Sequence, residues 1–119
     1  ASKKFFVYDP NEFEINQRKF TADLVLSLDV IYHLVEDEVY RKYLMNVFNT
    51  AKKYVVIYSS NQEIPGMLYS RHVRHRKFTR HVEEWFPTWE LKATFKNNKL
   101  QSDTKLNGPS VDFFIFQAR

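Results

Sequence analysis

The chain has 119 residues, of which 44% are hydrophobic and 17% aromatic, so it is long enough for one compact domain and too short for two. It contains no cysteine, which excludes a disulfide framework and a thiolate metal site. The net charge of +4 is compatible with a polyanionic partner but does not indicate one. Because no apolar run approaches the roughly 18 residues of a membrane-spanning helix and no signal peptide is visible, we expect a globular cytoplasmic chain.

The N-terminal third contains two apolar runs that favour β-strands. KKFFVYDP, Lys3–Pro10, ends in a proline, which cannot donate to a strand ladder, so the first predicted strand ends near Tyr8. DLVLSLDV, Asp23–Val30, is almost continuously apolar, which is typical of a strand buried on both faces of a parallel sheet.

Residues 36–51 have the spacing of an amphipathic helix. Their apolar side chains recur at intervals of three and four, with acidic residues in the first turn and two lysines after the end, as the helix dipole favours. YVVIYSS, Tyr54–Ser60, repeats the buried-strand pattern. Residues 23–60 therefore predict a β-loop-α-β unit with parallel strands.

The C-terminal part predicts a short helix followed by two antiparallel strands. Thr79 can cap a helix that Pro87 stops after Phe86. WELKATF, Trp89–Phe95, alternates in polarity, and SVDFFIFQA, Ser110–Ala118, is an apolar run, with a polar connection between them. The predicted fold class is α/β, with an antiparallel pair attached to a parallel unit.

The order of these elements, together with the pattern DLVLSLDVIYHL, resembles the C-terminal portion of a class I S-adenosylmethionine-dependent methyltransferase. By this resemblance DLVLSLDV is the family's fourth strand, YVVIYSS the fifth, and KKFFVYDP the third with its terminal aspartate. The resemblance implies a partial Rossmann-like sheet with mostly parallel strands, helices and a C-terminal antiparallel hairpin. It covers residues 1–119 as a single domain, the C-terminal portion of the family's domain.

The sequence departs from the family on its N-terminal side. The family's first strand ends in a glycine-rich turn against the cofactor, whereas the only glycines here are Gly66 and Gly108, both late and isolated. The sequence is therefore either a fragment of a longer chain or a degenerate descendant of the family, and a start at Ala1 rather than methionine favours the fragment. We therefore expect S-adenosylmethionine as the cofactor of the intact domain, and weak or no cofactor binding by this chain alone.

Loss of the family's first strand has a consequence for the sheet. The fourth strand is left with an unpaired apolar edge, LVLSL, which is a template for pairing with another chain. The sequence therefore predicts a homodimer formed through that edge, or a rearrangement in which Phe5–Tyr8 pairs beside it.

Asp29 follows the apolar part of the strand Asp23–Val30, at its carboxyl end. Open α/β sheets bind ligands in the crevice beyond the carboxyl ends of their strands. The resemblance places Leu28, Asp29 and Tyr32 against the methionine end of the cofactor, with His33 as an orienting group or catalytic base. A local alternative stays open, in which Asp29 accepts backbone N–H groups of its own loop and His33 packs at the helix entry.

Asp9 and Pro10 form the second predicted cofactor contact. By the resemblance, the Asp9 carboxylate accepts a hydrogen bond from the exocyclic amine of adenine, and the backbone at Pro10 meets the ring edge. The alternative is an Asp-Pro turn in which the carboxylate bonds to its own backbone.

The basic cluster RHVRHRKFTRH, Arg71–His81, contains five Arg or Lys residues and three of the four histidines. Three interpretations stay open: a solvated loop, a contact with nucleic acid, or a substrate-facing lid. As a lid it would attract an acidic or phosphorylated acceptor through Arg71, Arg74 and Arg76. No metal site is predicted, because no carboxylate accompanies the histidines at ligand spacing nearer than Glu83.

The leading functional hypothesis is transfer of a methyl group from S-adenosylmethionine to an unidentified acceptor by the intact domain. The alternative is a non-enzymatic basic module that binds nucleic acid or protein. Nucleophilic catalysis is not predicted, because Ser59 and Ser60 have no glycine-flanked elbow and no histidine beside them in the sequence. A membrane partner is not predicted either.

Overall fold

The computed structural model of the chain describes residues 3, 5, 7–9, 21–64, 71–97 and 109–119. Within these ranges the elements are, in chain order, β1 (Ala22–Leu28), α1 (Asp37–Thr50), β2 (Ala51–Ser59), α2 (Phe78–Trp85), β3 (Trp89–Phe95) and β4 (Asp112–Ala118). A short 3-10 turn, Ile31–His33, lies between β1 and α1. The predicted α/β class is confirmed. Neither described helix has the length and apolar character needed to cross a membrane.

The β1–α1–β2 unit has the parallel arrangement that the sequence predicts. Leu24 pairs with Tyr54 and Leu28 pairs with Tyr58, so the strands run parallel and in register over this stretch, and the register shifts between Ala22 and Leu24. Helix α1 buries Tyr40, Leu44, Asn46, Val47 and Phe48. The four apolar members occupy positions i, i+4, i+7 and i+8 counted from Tyr40, which places them on one stripe of the helix.

The sheet is mixed, and the prediction of mostly parallel strands is wrong for the described part of the chain. Its strand order is β1-β2-β4-β3, in which the β1–β2 pair is parallel and the other two pairs are antiparallel. The reason is that β3 and β4 return as the predicted hairpin-like pair, with β4 directly beside β2. Parallel pairing is therefore confined to the single β-α-β unit.

The predicted strand at residues 3–8 has no strand structure in its described residues, and this prediction is wrong there. Phe5 and Val7 are 90% and 94% exposed, so no neighbouring element covers them. Tyr8 instead packs edge-on against Tyr43 of α1, with 5.7 Å between the ring centroids. The described residues therefore do not show this segment paired with β1.

Both helices pack on one face of the sheet. Phe116 of β4 lies with its ring centroid 5.5 Å from that of Phe48 on α1 and 6.2 Å from that of Phe78 on α2. Val55 and Ile57 of β2 point to the same face and are fully buried. The remaining core residues are Ile31, Tyr40, Leu44, Val47, Ala51, Val82, Phe86 and Phe114.

The opposite face of the sheet is apolar and exposed. Its side chains alternate with the core residues, because neighbouring residues of a strand point to opposite faces. The prediction that β1 is buried on both faces is wrong for the described structure, in which α1 covers one face. The large apolar side chains on the exposed face, between 39% and 56% accessible, are Leu24, Leu26, Leu28, Tyr54, Phe95 and Phe113.

Thr79 does not cap α2, contrary to the sequence prediction. The helix begins at Phe78, and its N-cap is Lys77, two residues before Thr79. Lys77 makes no side-chain capping hydrogen bond. The Oδ1 atom of Asn61 accepts a hydrogen bond from the backbone N–H of Thr79 at 3.1 Å. The loop after β2 thus satisfies the first turn of α2 and ties the helix to the carboxyl end of the strand.

Candidate functional site at the carboxyl ends of β1 and β2

Asp29 ends β1 and turns the chain out of the sheet. Its backbone N–H donates to the carbonyl of Tyr58 at 3.0 Å, which holds the turn against β2. Its φ of 65° lies in the left-handed region, which is uncommon outside glycine and is tolerated best by Asn and Asp. The Asp29 carboxylate accepts a hydrogen bond from the Tyr32 hydroxyl. The backbone and the side chain together therefore fix Asp29 at the rim of the sheet.

Tyr32 connects the 3-10 turn to the segment that follows β2. Its ring stacks on His75 with 5.9 Å between centroids and lies 4.5 Å from the ring of His33. Its backbone carbonyl accepts a hydrogen bond from the N–H of Arg74 at 2.8 Å. The 3-10 turn after β1 and the described residues around Arg74 therefore form one wall, with His33 exposed on it.

Ser60 and His75 form a buried pair that sequence reasoning missed. Ser60 Oγ and His75 Nδ1 lie 2.7 Å apart, and the two residues are 1% and 8% exposed. Burial lowers the pKa of His75, so the imidazole is neutral at pH 7. The residues stand 15 positions apart and lie in no recognisable motif. The polar Ser59–Ser60 pair after an apolar strand is the one local sign of this contact.

Arg76 joins the basic cluster to the loop between β1 and α1. It is 4% exposed, and its guanidinium donates to the carbonyls of Leu34 and Val35, both at 2.8 Å. It also donates to Asp37 Oδ1 at 2.9 and 3.2 Å, and its Cζ lies 4.1 Å from the centroid of the Tyr40 ring. These contacts hold the segment that contains Arg76 against the loop between β1 and α1 and against the first turn of α1.

Arg74 is held by the segment that follows β2. Its NH1 group donates to Glu63 Oε2 at 2.9 Å and to the carbonyl of Ile64 at 2.8 Å. Burial raises the pKa of Glu63, but the hydrogen bond and charge of Arg74 outweigh it, and the net pKa is lowered. Other basic residues of the cluster are exposed, namely Arg71, Lys77 and Arg80.

A pocket of about 280 Å³ opens between α1, α2 and the basic cluster. The Tyr40 hydroxyl and His81 Nδ1 lie 2.7 Å apart, and the His81 ring stacks on Trp85 at 4.6 Å. Burial raises the pKa of Tyr40, and burial lowers the pKa of His81, so both groups are neutral at pH 7. Arginine and carboxylate side chains both line this pocket, so its electrostatic potential is neither uniformly positive nor uniformly negative.

Two histidines with lowered pKa values, the buried His75 and the half-buried His81, predict that acidification destabilises the fold. Their pKa values are lower in the folded chain than the ordinary value of 6.5, so below that pH the unfolded chain binds protons that the folded chain does not. The free energy of unfolding should therefore fall as the pH decreases from about 7.5 through 6.5, and level off below the folded pKa values of His75 and His81. Urea denaturation at a series of pH values measures this slope, and His81→Phe should reduce it. A stability that is flat or rises on acidification contradicts the prediction.

The structure brings together three of the five residues predicted for the cofactor and the residue predicted for catalysis. At the end of β1 these are Leu28, Asp29 and Tyr32 for the cofactor and His33 for catalysis. Asp9 is exposed and follows Tyr8, which packs on α1. Pro10 lies outside the described residues. Within the described ranges, no three His, Cys, Asp or Glu residues are grouped as a metal site requires.

Comparison with known proteins defines the fold of the chain. No protein-family model matches the sequence, and no curated protein matches it. Among solved structures, the chain is similar to the methyltransferase domain of bacterial CtHen1-C, with 15% sequence identity and a TM-score of 0.58. The match covers 85% of this chain and 55% of that chain. The chain therefore has a methyltransferase-domain fold and spans about half the length of that neighbour.

Proposed function

We propose that this chain is the C-terminal part of a class I S-adenosylmethionine-dependent methyltransferase domain. The likeness in fold to a methyltransferase domain supports the class of activity. The observation that carries the proposal is the left-handed turn at Asp29, because it places an exposed carboxylate at the carboxyl end of a parallel strand. This is the position at which open α/β sheets bind their ligands.

The residues at the end of β1 provide complementary contacts for the cofactor. The Asp29 carboxylate is exposed and accepts hydrogen bonds, and Tyr32 holds it in place from the 3-10 turn. Leu28 offers apolar surface beside it, at 47% exposure. Asp9 and Pro10 are assigned to adenine by family resemblance. The fit is partial, because the sequence contains no glycine-rich turn, and we expect weak binding by this chain.

Methyl transfer requires the acceptor to lie in line with the sulfonium methyl group that S-adenosylmethionine supplies. His33 is exposed on the wall beside Asp29, where its imidazole can accept a proton from the acceptor. We propose that Arg71, which is exposed, attracts an acidic or phosphorylated acceptor, whereas the charge of Arg74 is already offset by Glu63. Arg76 is buried, and we assign it a positioning role.

The pairing of the basic cluster favours the enzyme over the nucleic-acid module. Glu63 binds Arg74 and Asp37 binds Arg76, so two of the five cations in the cluster are offset by carboxylates within the chain. A surface built to bind phosphates concentrates unpaired basic side chains instead. The cluster therefore supports a local role beside the crevice better than an extended nucleic-acid surface.

Replacing Asp29 with alanine tests the proposal. Saturation-transfer NMR on the full chain should detect weak, saturable binding of S-adenosylmethionine, and Asp29→Ala should weaken it by about tenfold, the effect of one charge-assisted hydrogen bond. Asp23→Ala is the matched control, because Asp23 is an exposed carboxylate near the other end of the same strand. Equal binding by both variants would sink the proposal, and tight binding by the unmodified chain would contradict the partial site.

A further inference from the structure

The pocket between α1, α2 and the basic cluster lies apart from the proposed cofactor crevice. Its volume is about 280 Å³, close to the lower limit of roughly 300 Å³ for small-molecule sites. Among the described residues, none from β1, from the exposed sheet face or from the crevice at the end of β1 lines it. The pocket therefore does not depend on the uncovered β1 edge, and its ligand can be sought separately from methyl transfer.

The charges around the pocket leave one cation unbalanced. Arg74 pairs with Glu63 at 2.9 Å. Arg76 pairs with Asp37 at the same distance. Arg41 also lines the pocket, is exposed, and has no ion pair within the described part of the chain. Because the two pairs cancel, the lining has a net charge of one positive unit, which suits a ligand with a single negative charge.

His81 adds a hydrogen-bond donor to the pocket wall. Its Nδ1 atom lies 2.7 Å from the Tyr40 hydroxyl. A phenol is a stronger acid than a neutral imidazole N–H, and the guanidinium of Arg76 lies over the Tyr40 ring, 4.1 Å from its centroid. The hydroxyl therefore donates to Nδ1, and the proton of the neutral imidazole lies on Nε2. Within the described ranges, this Nε2–H has no acceptor.

Aromatic rings form the flat part of the wall. The His81 ring stacks on Trp85, with 4.6 Å between the centroids and 8° between the planes. Tyr40 meets Trp85 at a steep angle, with 6.1 Å between centroids. Planar apolar groups pack well on such rings. The pocket thus combines an aromatic wall, one unbalanced cation and one N–H donor.

We propose that this pocket binds a small planar aromatic carboxylate. A carboxylate has the single negative charge that balances Arg41, and its two oxygens match the planar guanidinium. The Nε2–H of His81 supplies a hydrogen bond to the same group, and the attached ring packs on the wall formed by His81 and Trp85. A phosphate monoester is a poorer match, because it has a charge of about −1.5 to −2 at pH 7.

An NMR titration of the full, ¹⁵N-labelled chain with benzoate tests the proposal. Saturable shifts should appear at Arg41, at His81 and at the indole N–H of Trp85. Benzyl alcohol keeps the ring without the charge, and inorganic phosphate keeps a charge without the ring. Each should bind at least about tenfold more weakly than benzoate. An unchanged spectrum with benzoate, or equal binding of benzyl alcohol or phosphate, overturns the proposal.

Arg41→Gln tests the assigned cation. It should weaken benzoate binding by at least about tenfold, because it removes a charge-assisted hydrogen-bond pair. Arg80→Gln is the matched control, since it removes an exposed charge from α2 at a position that does not line the pocket. Both positions are exposed, so both variants should keep the fold. Equal benzoate binding by the two variants overturns the proposal. S-adenosylmethionine takes no part in these titrations, so their failure is distinguishable from failure of the proposed methyl transfer.

Discussion

Phe116→Ala should lower the free energy of unfolding by about 3–5 kcal/mol, the usual cost of removing a fully buried aromatic side chain. Phe116 is 2% exposed, and its ring contacts Phe48 on α1 and Phe78 on α2. Removing the ring therefore leaves a cavity between the sheet and both helices. Because β4 lies between β2 and β3, this cavity sits in the middle of the sheet. Chemical denaturation monitored by tryptophan fluorescence measures the change.

Phe113→Ala is the matched control for this prediction. Phe113 is on the same strand and pairs with Tyr58, but it is 39% exposed and points to the face that no helix covers. Its replacement should cost less than about 1.5 kcal/mol, as for partly exposed sites. Equal losses for Phe113→Ala and Phe116→Ala would contradict a sheet with one buried and one exposed face.

Arg76→Gln should destabilise the chain by about 2–4 kcal/mol, because the carbonyls of Leu34 and Val35 lose their donors in a buried place. Asp37 contributes less to this cost, since its side chain is 83% exposed and is solvated when the arginine is removed. Arg76→Lys should recover little of the loss, because an ammonium group cannot reach three separate acceptors as the planar guanidinium does.

Arg80→Gln provides the control for Arg76. It removes the same charge from an exposed position in the same cluster and should change stability by less than about 0.5 kcal/mol. Hydrogen exchange offers a second measurement, in which Arg76→Gln should speed exchange in residues 29–35 while Arg80→Gln does not. If the two variants behave alike, Arg76 does not hold the loops.

Local patterns were sufficient to predict the helix α1 and the strands around it. The buried stripe of α1 follows from apolar spacing, and β3 has its predicted bounds, whereas β2 begins at Ala51, three residues before its predicted start at Tyr54. The class of fold follows from their order. The continuous apolar character of β1 predicts burial on both faces, whereas the structure covers one of them. Composition shows that both faces suit burial but cannot show which of them a neighbouring element covers.

The contacts that build the candidate site could not be predicted in the same way. Arg76 reaches acceptors 39 to 42 residues away, and Ser60 meets His75 across 15 residues, so both depend on how two loops meet in space. Asp29 is different, because an aspartate directly after an apolar strand marks the place where the chain leaves the core. The sequence therefore predicts where the chain leaves the sheet. The hydrogen bonds of the candidate site can be identified only from the folded structure.

The chain matches only about half of a methyltransferase domain, which offers an explanation for its exposed apolar surfaces. The chain spans 55% of that neighbour and, within the described residues, leaves one sheet face and the β1 edge uncovered. A contiguous exposed apolar face on a sheet is typical of an interface. The exposed face and the proposed cofactor crevice meet at Leu28, so covering the face would also complete one wall of the crevice.

Chemical-shift mapping with S-adenosylhomocysteine locates the ligand site that we propose at the carboxyl ends of β1 and β2. If the chain binds this ligand, we expect weak, saturable changes in the amide spectrum of the full chain that concentrate at residues 28–34 and at Ser60 and His75. These residues surround the carboxyl ends of β1 and β2. Changes that cluster at the opposite strand ends, around residues 50–53, or tight binding of the ligand would contradict this expectation.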